Sequence, residues 1–225
     1  MTLFIVVTII ILVVGIVFLG AQSPIQKKTR HKFLAKFANF TEGKAKEIEG
    51  RANSFCVQFA FEGQDFVFED IEETGFSGFI NKGYLKVKTK SALTLHFMEK
   101  EGRMGIRSDI IKMSDVEKVD VEKERLKLPK TLDVMQIFTN DVKMVNALLA
   151  EERVAKIFTH FKNKDSRGAP FLALKVTNGE VILEFCSKEA SSNPALSSLH
   201  DNISLMETYA DQLLVVTKKL NELVV

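Results

Sequence analysis

Residues Leu3 to Ala21 are apolar with no charge among them, and Lys27, Lys28, Arg30, Lys32 and Lys36 follow directly. As a helix rising about 1.5 Å per residue, the run would be roughly 28 Å long, close to the hydrocarbon thickness of a bilayer. No other feature constrains the chain as much. Only a helix satisfies the backbone of such a segment in lipid. The sequence therefore predicts a transmembrane anchor over residues 1–22, a basic helical juxtamembrane connector over 23–53, and one soluble domain over 54–225.

A cleaved signal peptide fits less well. Met1 and Thr2 would be its whole n-region, and a cut after Ala21 would leave Leu19 where a small residue is wanted. A cut after Ser23 would set Pro24 at the scissile bond, and no cysteine stands near for a lipoprotein-type acylation. The five Lys and Arg precede the first acid, Glu42, so the positive-inside bias keeps the C-terminal side in the cytoplasm. The expected topology is a single pass with the domain cytoplasmic. Phe33, Phe37 and Phe40 recur at helical spacing between the basic residues. Either Lys27, Lys28, Arg30, Lys32 and Lys36 contact anionic headgroups beside an aromatic edge, or the Phe face is covered by the domain.

Every charged side chain lies after Gln26. Setting the five flanking basic residues aside leaves 26 Lys and Arg against 29 Asp and Glu, which argues against a nucleic-acid-binding face. Roughly 175 residues from Arg51 onward suit one domain with its own core. Cys56 and Cys186 are too few for a disulfide scaffold and read as small buried hydrophobes in a reducing compartment, with a bridge between them the alternative only under the opposite orientation.

Phe55, Val57, Phe59 and Phe61 alternate with Cys56, Gln58 and Ala60, and a tight turn at Glu62-Gly63-Gln64-Asp65 leads to a strand begun by Phe66 and Phe68. Gly75, Gly78 and Gly83 then break the pattern. Leu85, Val87 and Thr89 alternate with lysines, and Leu93, Leu95 and Phe97 mark another strand. Residues 99–107 read as a loop, and Val119 and Val121 suggest a short, charged edge strand. Val134 to Phe138 is a strand ending at Thr139-Asn140-Asp141, which is N-cap chemistry. Two helical stripes follow, out of phase, so a break is expected near Ala150–Glu152. Asn163 to Pro170 reads as a loop, and Asn178-Gly179 is the turn of a second hairpin. Leu199, Ile203, Met206, Leu213, Val216, Leu220 and Leu223 stripe a long final helix, expected to pack on the domain's own sheet. On this reading a chain begun near Ala45 should fold by itself.

Catalytic signatures are wanting. Gly78 and Gly83 have the spacing of a phosphate loop, but Tyr84-Leu85 stand where Lys-Ser/Thr is required. His31, His96, His160 and His200 are scattered without metal-ligand spacing. In Gly75-Phe76-Ser77-Gly78 the second glycine comes one position too early for a nucleophile elbow. The acid pairs Glu72-Glu73 and Glu151-Glu152 fall at element ends, where charge is ordinarily solvated.

The layout of Phe138-Thr139-Asn140-Asp141, Leu148-Leu149, Ile157-Phe158, the Asn178-Gly179 hairpin and the last helix resembles an uncharacterised family of bacterial membrane-anchored proteins. The resemblance covers about Leu132 to Val225 and, in outline, the anchored N-terminus. It implies a strand ending in Asp, a helical pair, a hairpin and a C-terminal helix, no active site, and a bacterial inner membrane as the location. The expected fold is α+β: one transmembrane helix, then a single domain of antiparallel hairpins with a helical pair and a long C-terminal helix. The expected function is a membrane-tethered, non-enzymatic interaction or regulatory domain with the bilayer and a protein as partners, and no cofactor. The alternatives are a module for a lipid or small apolar ligand, held by Phe59, Phe61, Phe66 and Phe68, and a hydrolase.

Overall fold

The structure is a computed structural model and describes residues 30–75, 78–99, 117–118, 135–160, 172–185 and 202–224. It opens with a helix, α1, over residues 30–40. The strands are β1 (Lys44–Glu47), β2 (Phe55–Phe61), β3 (Gln64–Gly75), β4 (Gly78–Lys88), β5 (Leu95–Glu99), β6 (Glu117–Lys118), β7 (Met135–Thr139), β8 (Leu172–Thr177) and β9 (Glu180–Phe185). Helices α2 (Val142–Leu149) and α3 (Glu152–His160) lie between β7 and β8, and α4 (Leu205–Leu223) comes last. The described strands form one antiparallel sheet in the order β1-β2-β3-β4-β9-β8-β5-β7-β6. The fold is α+β.

Period-two alternation makes one face of this sheet apolar. Val57, Phe68, Leu85, Leu183, Leu174, Phe97 and Ile137 are cross-strand neighbours in turn, and all are buried. A parallel row runs from Phe59 and Phe66 through Val87, Val181 and Val176 to Leu95. Helices α1 and α4 supply the other half of the same core, through Phe33, Leu34 and Phe37 and through Met206, Leu213 and Leu220. Packed against α4, α2 contributes Val145, Leu148 and Leu149.

Local chemistry explains the elements that the sequence made plain. Glu62-Gly63 and Asn178-Gly179 both hold two successive positive φ values, at 46° and 75° and at 52° and 73°. Those are the angles of the two-residue turn whose twist matches paired strands. Gly179 suits its site because a side chain at φ +73° would be strained. The Asp141 carboxylate accepts from the Met144 N–H at 3.0 Å and caps α2. Helices α2 and α3 are separate, broken at Ala150 and Glu151. The buried positions of α4 include Leu213 and Leu220, packed within the molecule's own core. The charged two-residue strand β6 stands at a sheet edge.

Three expectations need correction. Residues 30–53 are not a helical connector standing apart from the domain. Glu42 adopts φ 52°, the Gly43 N–H donates to Ala38 O at 2.8 Å, and that of Glu42 donates to Asn39 O at 3.4 Å. This left-handed exit ends α1 and delivers the chain to β1, which pairs with β2. The packed unit thus reaches back to residue 30, ahead of the boundary at 54. Nor do the glycines break the sheet: Gly75 and Gly78 face each other across β3 and β4, and Gly83 is paired on both sides, with Asp70 and Phe185. Ladder bonds belong to the backbone and persist where a side chain is missing. Cys56 is half-buried and lies on the sheet face opposite the core.

No helix among the described residues is long and apolar enough to cross a membrane. The apolar run, Cys186, and the loops expected over 99–107 and 163–170 lie outside the described residues, apart from Glu99, which ends β5.

Candidate functional site

Of the five basic residues singled out in the sequence, Lys27 and Lys28 lie outside the described residues, and Lys32 and Lys36 are exposed on α1. Arg30 behaves differently. Its side chain is 4% exposed and reaches β3, where Nε meets Asp70 Oδ2 at 3.1 Å and Nη2 meets Oδ1 at 2.8 Å. Nη1 donates to Glu72 Oε2 at 2.8 Å. Glu72 Oε1 accepts from the Asn53 side-chain amide at 2.8 Å, and the Glu72 backbone N–H donates to Ser54 Oγ at 3.1 Å. Arg30 is therefore not a headgroup contact, because both carboxylates and a wall of packed side chains enclose it.

The arrangement follows from helix and strand periods. Arg30 stands three, four and seven residues before Phe33, Leu34 and Phe37, on the apolar face of α1. Asp70 continues the Phe66, Phe68 alternation on the buried face of β3. Each charge sits on an apolar stripe, and a buried charge needs a partner. That signal was present in the sequence and could have paired the two. Glu72 is likewise not a solvated element end, since it completes this cluster. A planar guanidinium forked onto a carboxylate is strong and directional, and it fixes the rotation of α1 about its own axis. Chemically the cluster holds position: its donors and acceptors are spent on one another.

Next to the clamp, Phe37 of α1 packs onto the face of β2 and β3. Its ring lies 5.5 Å from Phe59 and 5.1 Å from Phe68, both edge-on, and 5.8 Å from Phe33. Phe59 stacks on Phe66 at 5.5 Å, and Phe61 meets Phe66 edge-on at 6.2 Å. The phenylalanines expected to line a ligand cavity pack against each other and against α1 instead.

Among the described residues, those weighed for chemistry are not brought together. His31 lies on the outside of α1 with its ring 4.7 Å from Phe55 in β2, whereas His96 is buried in β5, five strands away. At about 4.8 Å per strand that is on the order of 24 Å. His200 and Ser77 lie outside the described residues. No group of three or more His, Cys, Asp or Glu that could hold a metal occurs among the described residues. The Cys56 thiol is pushed up by burial first and by Glu69 second, against the opposing pull of Lys46 and Lys86. It is held in the thiol form, which is a poor nucleophile. The same second face of the sheet carries ion pairs, Lys86 with Glu69 at 2.8 Å beside Cys56 and Lys175 with Glu184 at 2.5 Å on β8 and β9.

Comparison with protein-family models, with curated proteins and with solved structures finds no match to this chain.

Proposed function

We propose that this chain is a membrane-tethered interaction or regulatory domain, non-enzymatic, acting at the cytoplasmic face of the membrane that its apolar segment enters. The observation that carries the reading is the distance from that segment to the folded body. Only the eight residues 22–29 separate Ala21 from Arg30, and Arg30 is already clamped to the sheet. Eight residues span at most about 28 Å even when fully extended. An anchored chain therefore holds its sheet close to the bilayer, and the clamp sets which way α1 faces. The packed phenylalanine cluster favours an interaction domain over the alternative, a module enclosing a lipid or small apolar ligand.

The test is extraction and cross-linking of the full chain in its own membrane. Resistance to alkaline carbonate and a stoichiometric cross-linked protein partner are the expected results. Release by carbonate would overturn the tether. A stoichiometric apolar molecule retained through purification, with no protein partner, would favour the ligand-binding module.

A further inference from the structure

The clamp decides which side of α1 remains outside. Arg30, Phe33, Leu34 and Phe37 turn inward, and His31, Lys32, Ala35, Lys36, Asn39 and Phe40 are exposed. Lys32, Lys36 and Phe40 follow one another at four-residue intervals, so they form a single ridge along the outer face. Phe40 is 42% exposed, and only Val224 joins it as an exposed large hydrophobic among the described residues. The helix carries no acid, and none occurs between Lys27 and Thr41.

We infer that the Lys32–Lys36–Phe40 ridge rests on the anionic phospholipid headgroups of the bilayer that holds the apolar segment. The inference rests on the tether proposed above and adds the face by which the domain lies down. Three observations converge on this occupant. Two lysines without intervening acids are complementary to an anionic leaflet, each strengthening attraction roughly fivefold. An exposed aromatic ring at the end of a basic ridge suits the boundary between headgroups and acyl chains. The ridge begins eleven residues after Ala21, and it cannot stray far from the surface. The roles of the basic residues on α1 are thus divided: Arg30 holds the helix to the sheet, and Lys32 and Lys36 hold the helix to the lipid.

The test reconstitutes the full chain into vesicles of phosphatidylcholine alone or with 30% phosphatidylglycerol by design, each containing bromolipid. A fluorescent amino acid replaces Asn39, beside the ridge, or Ala60 on the opposite face of the sheet. The expected result is quenching of the probe at 39, but not at 60, in anionic vesicles only. High salt, which needs no variant, should reverse the quenching, and so should Lys32→Glu with Lys36→Glu. Flotation in alkaline carbonate reports the anchor separately. A chain that floats with an unquenched probe at 39, or with quenching indifferent to lipid charge and salt, overturns the ridge and leaves the tether standing. A chain that fails to float overturns both.

Discussion

Arg30 and Asp70 stand forty residues apart in sequence and meet through two parallel hydrogen bonds, 2.8 and 3.1 Å, with side chains 4% and 0% exposed. The pair joins the helix that emerges beside the basic flank to the third strand of the sheet. Removing Asp70 bares two buried guanidinium nitrogens and leaves Glu72 as the carboxylate that Arg30 keeps, which is costlier than removing both members of the fork. Asp70→Ala is therefore expected to lower stability by about 2–4 kcal/mol, short of the loss for a wholly unpaired buried charge. The double change Arg30→Met with Asp70→Leu should lose less, because Glu72, at 16% exposure, keeps Asn53 and some solvent. Arg30→Lys should restore little, since an ammonium cannot span the carboxylate fork. Denaturant midpoints for the three variants check the order; an Asp70→Ala chain as stable as the parent would refute the clamp.

Phe37 makes α1 part of the core. Its complete burial among Phe33, Phe59 and Phe68 implies a loss of about 3–5 kcal/mol for Phe37→Ala. A chain begun at Ala45, which the hairpin pattern alone predicts to fold, lacks the whole helix and bares that apolar wall. Such a chain should bind a hydrophobic dye and melt without a cooperative transition, whereas one begun before Arg30 should not.

Glu42 occupies the left-handed position that ends α1, at φ 52°. A side chain there costs backbone energy that glycine avoids, partly offset by the greater freedom of an unfolded glycine. Glu42→Gly is expected to raise stability by about 0.5–1 kcal/mol. The neighbouring change has the opposite sign. A Cβ on Gly43 would stand 2.6 Å from the Gln58 carbonyl oxygen, so Gly43→Ala should force β1 and β2 apart. Thermal melts of the two variants should move in opposite directions.

Leu213 is 1% exposed on α4, within the core shared with the sheet. Leu213→Ala should cost about 2–5 kcal/mol, transfer plus cavity. A midpoint within about 0.5 kcal/mol of the parent would instead make that side of α4 a docking surface.

Tyr209 packs edge-on against Phe185 at 5.4 Å, and burial pushes its phenol above the ordinary 10.0. A group whose folded pKa is raised contributes stability in full below its unfolded value. That stability is lost as pH rises through the folded value, because the unfolded chain releases the proton first. Stability should therefore fall with pH above about 10, and Tyr209→Phe should flatten this alkaline limb. An ultraviolet titration of Tyr209 at or below the ordinary value would contradict the assignment.

How much was legible differs by element, for a physical reason. The turns at Glu62-Gly63 and Asn178-Gly179, the Asp141 cap and the break between α2 and α3 depend on a few consecutive residues. Their chemistry is complete within a short window. The alternation of β2 and β4 showed which side chains turn inward, since period two needs no partner. Gly83 misled, because a missing side chain weakens a strand's own propensity while two flanking strands still hold its backbone. The connector misled in the same way: its Lys, Ala and Glu suit a helix, and pairing with β2 overrode that preference.

The sequence by itself determined an apolar segment long enough for a bilayer, a basic flank behind it, an α+β pattern, and the faces that must be buried. Tertiary structure alone decided the strand order, the seating of α1 on the phenylalanine cluster, and the division of the described part of the basic flank into one buried arginine and two exposed lysines. Spacing along a chain reports which face a residue occupies. Whether that face meets water or a carboxylate forty residues away is settled by a buried charge finding its partner, and the cost of leaving it unpaired is what selects the fold that provides one.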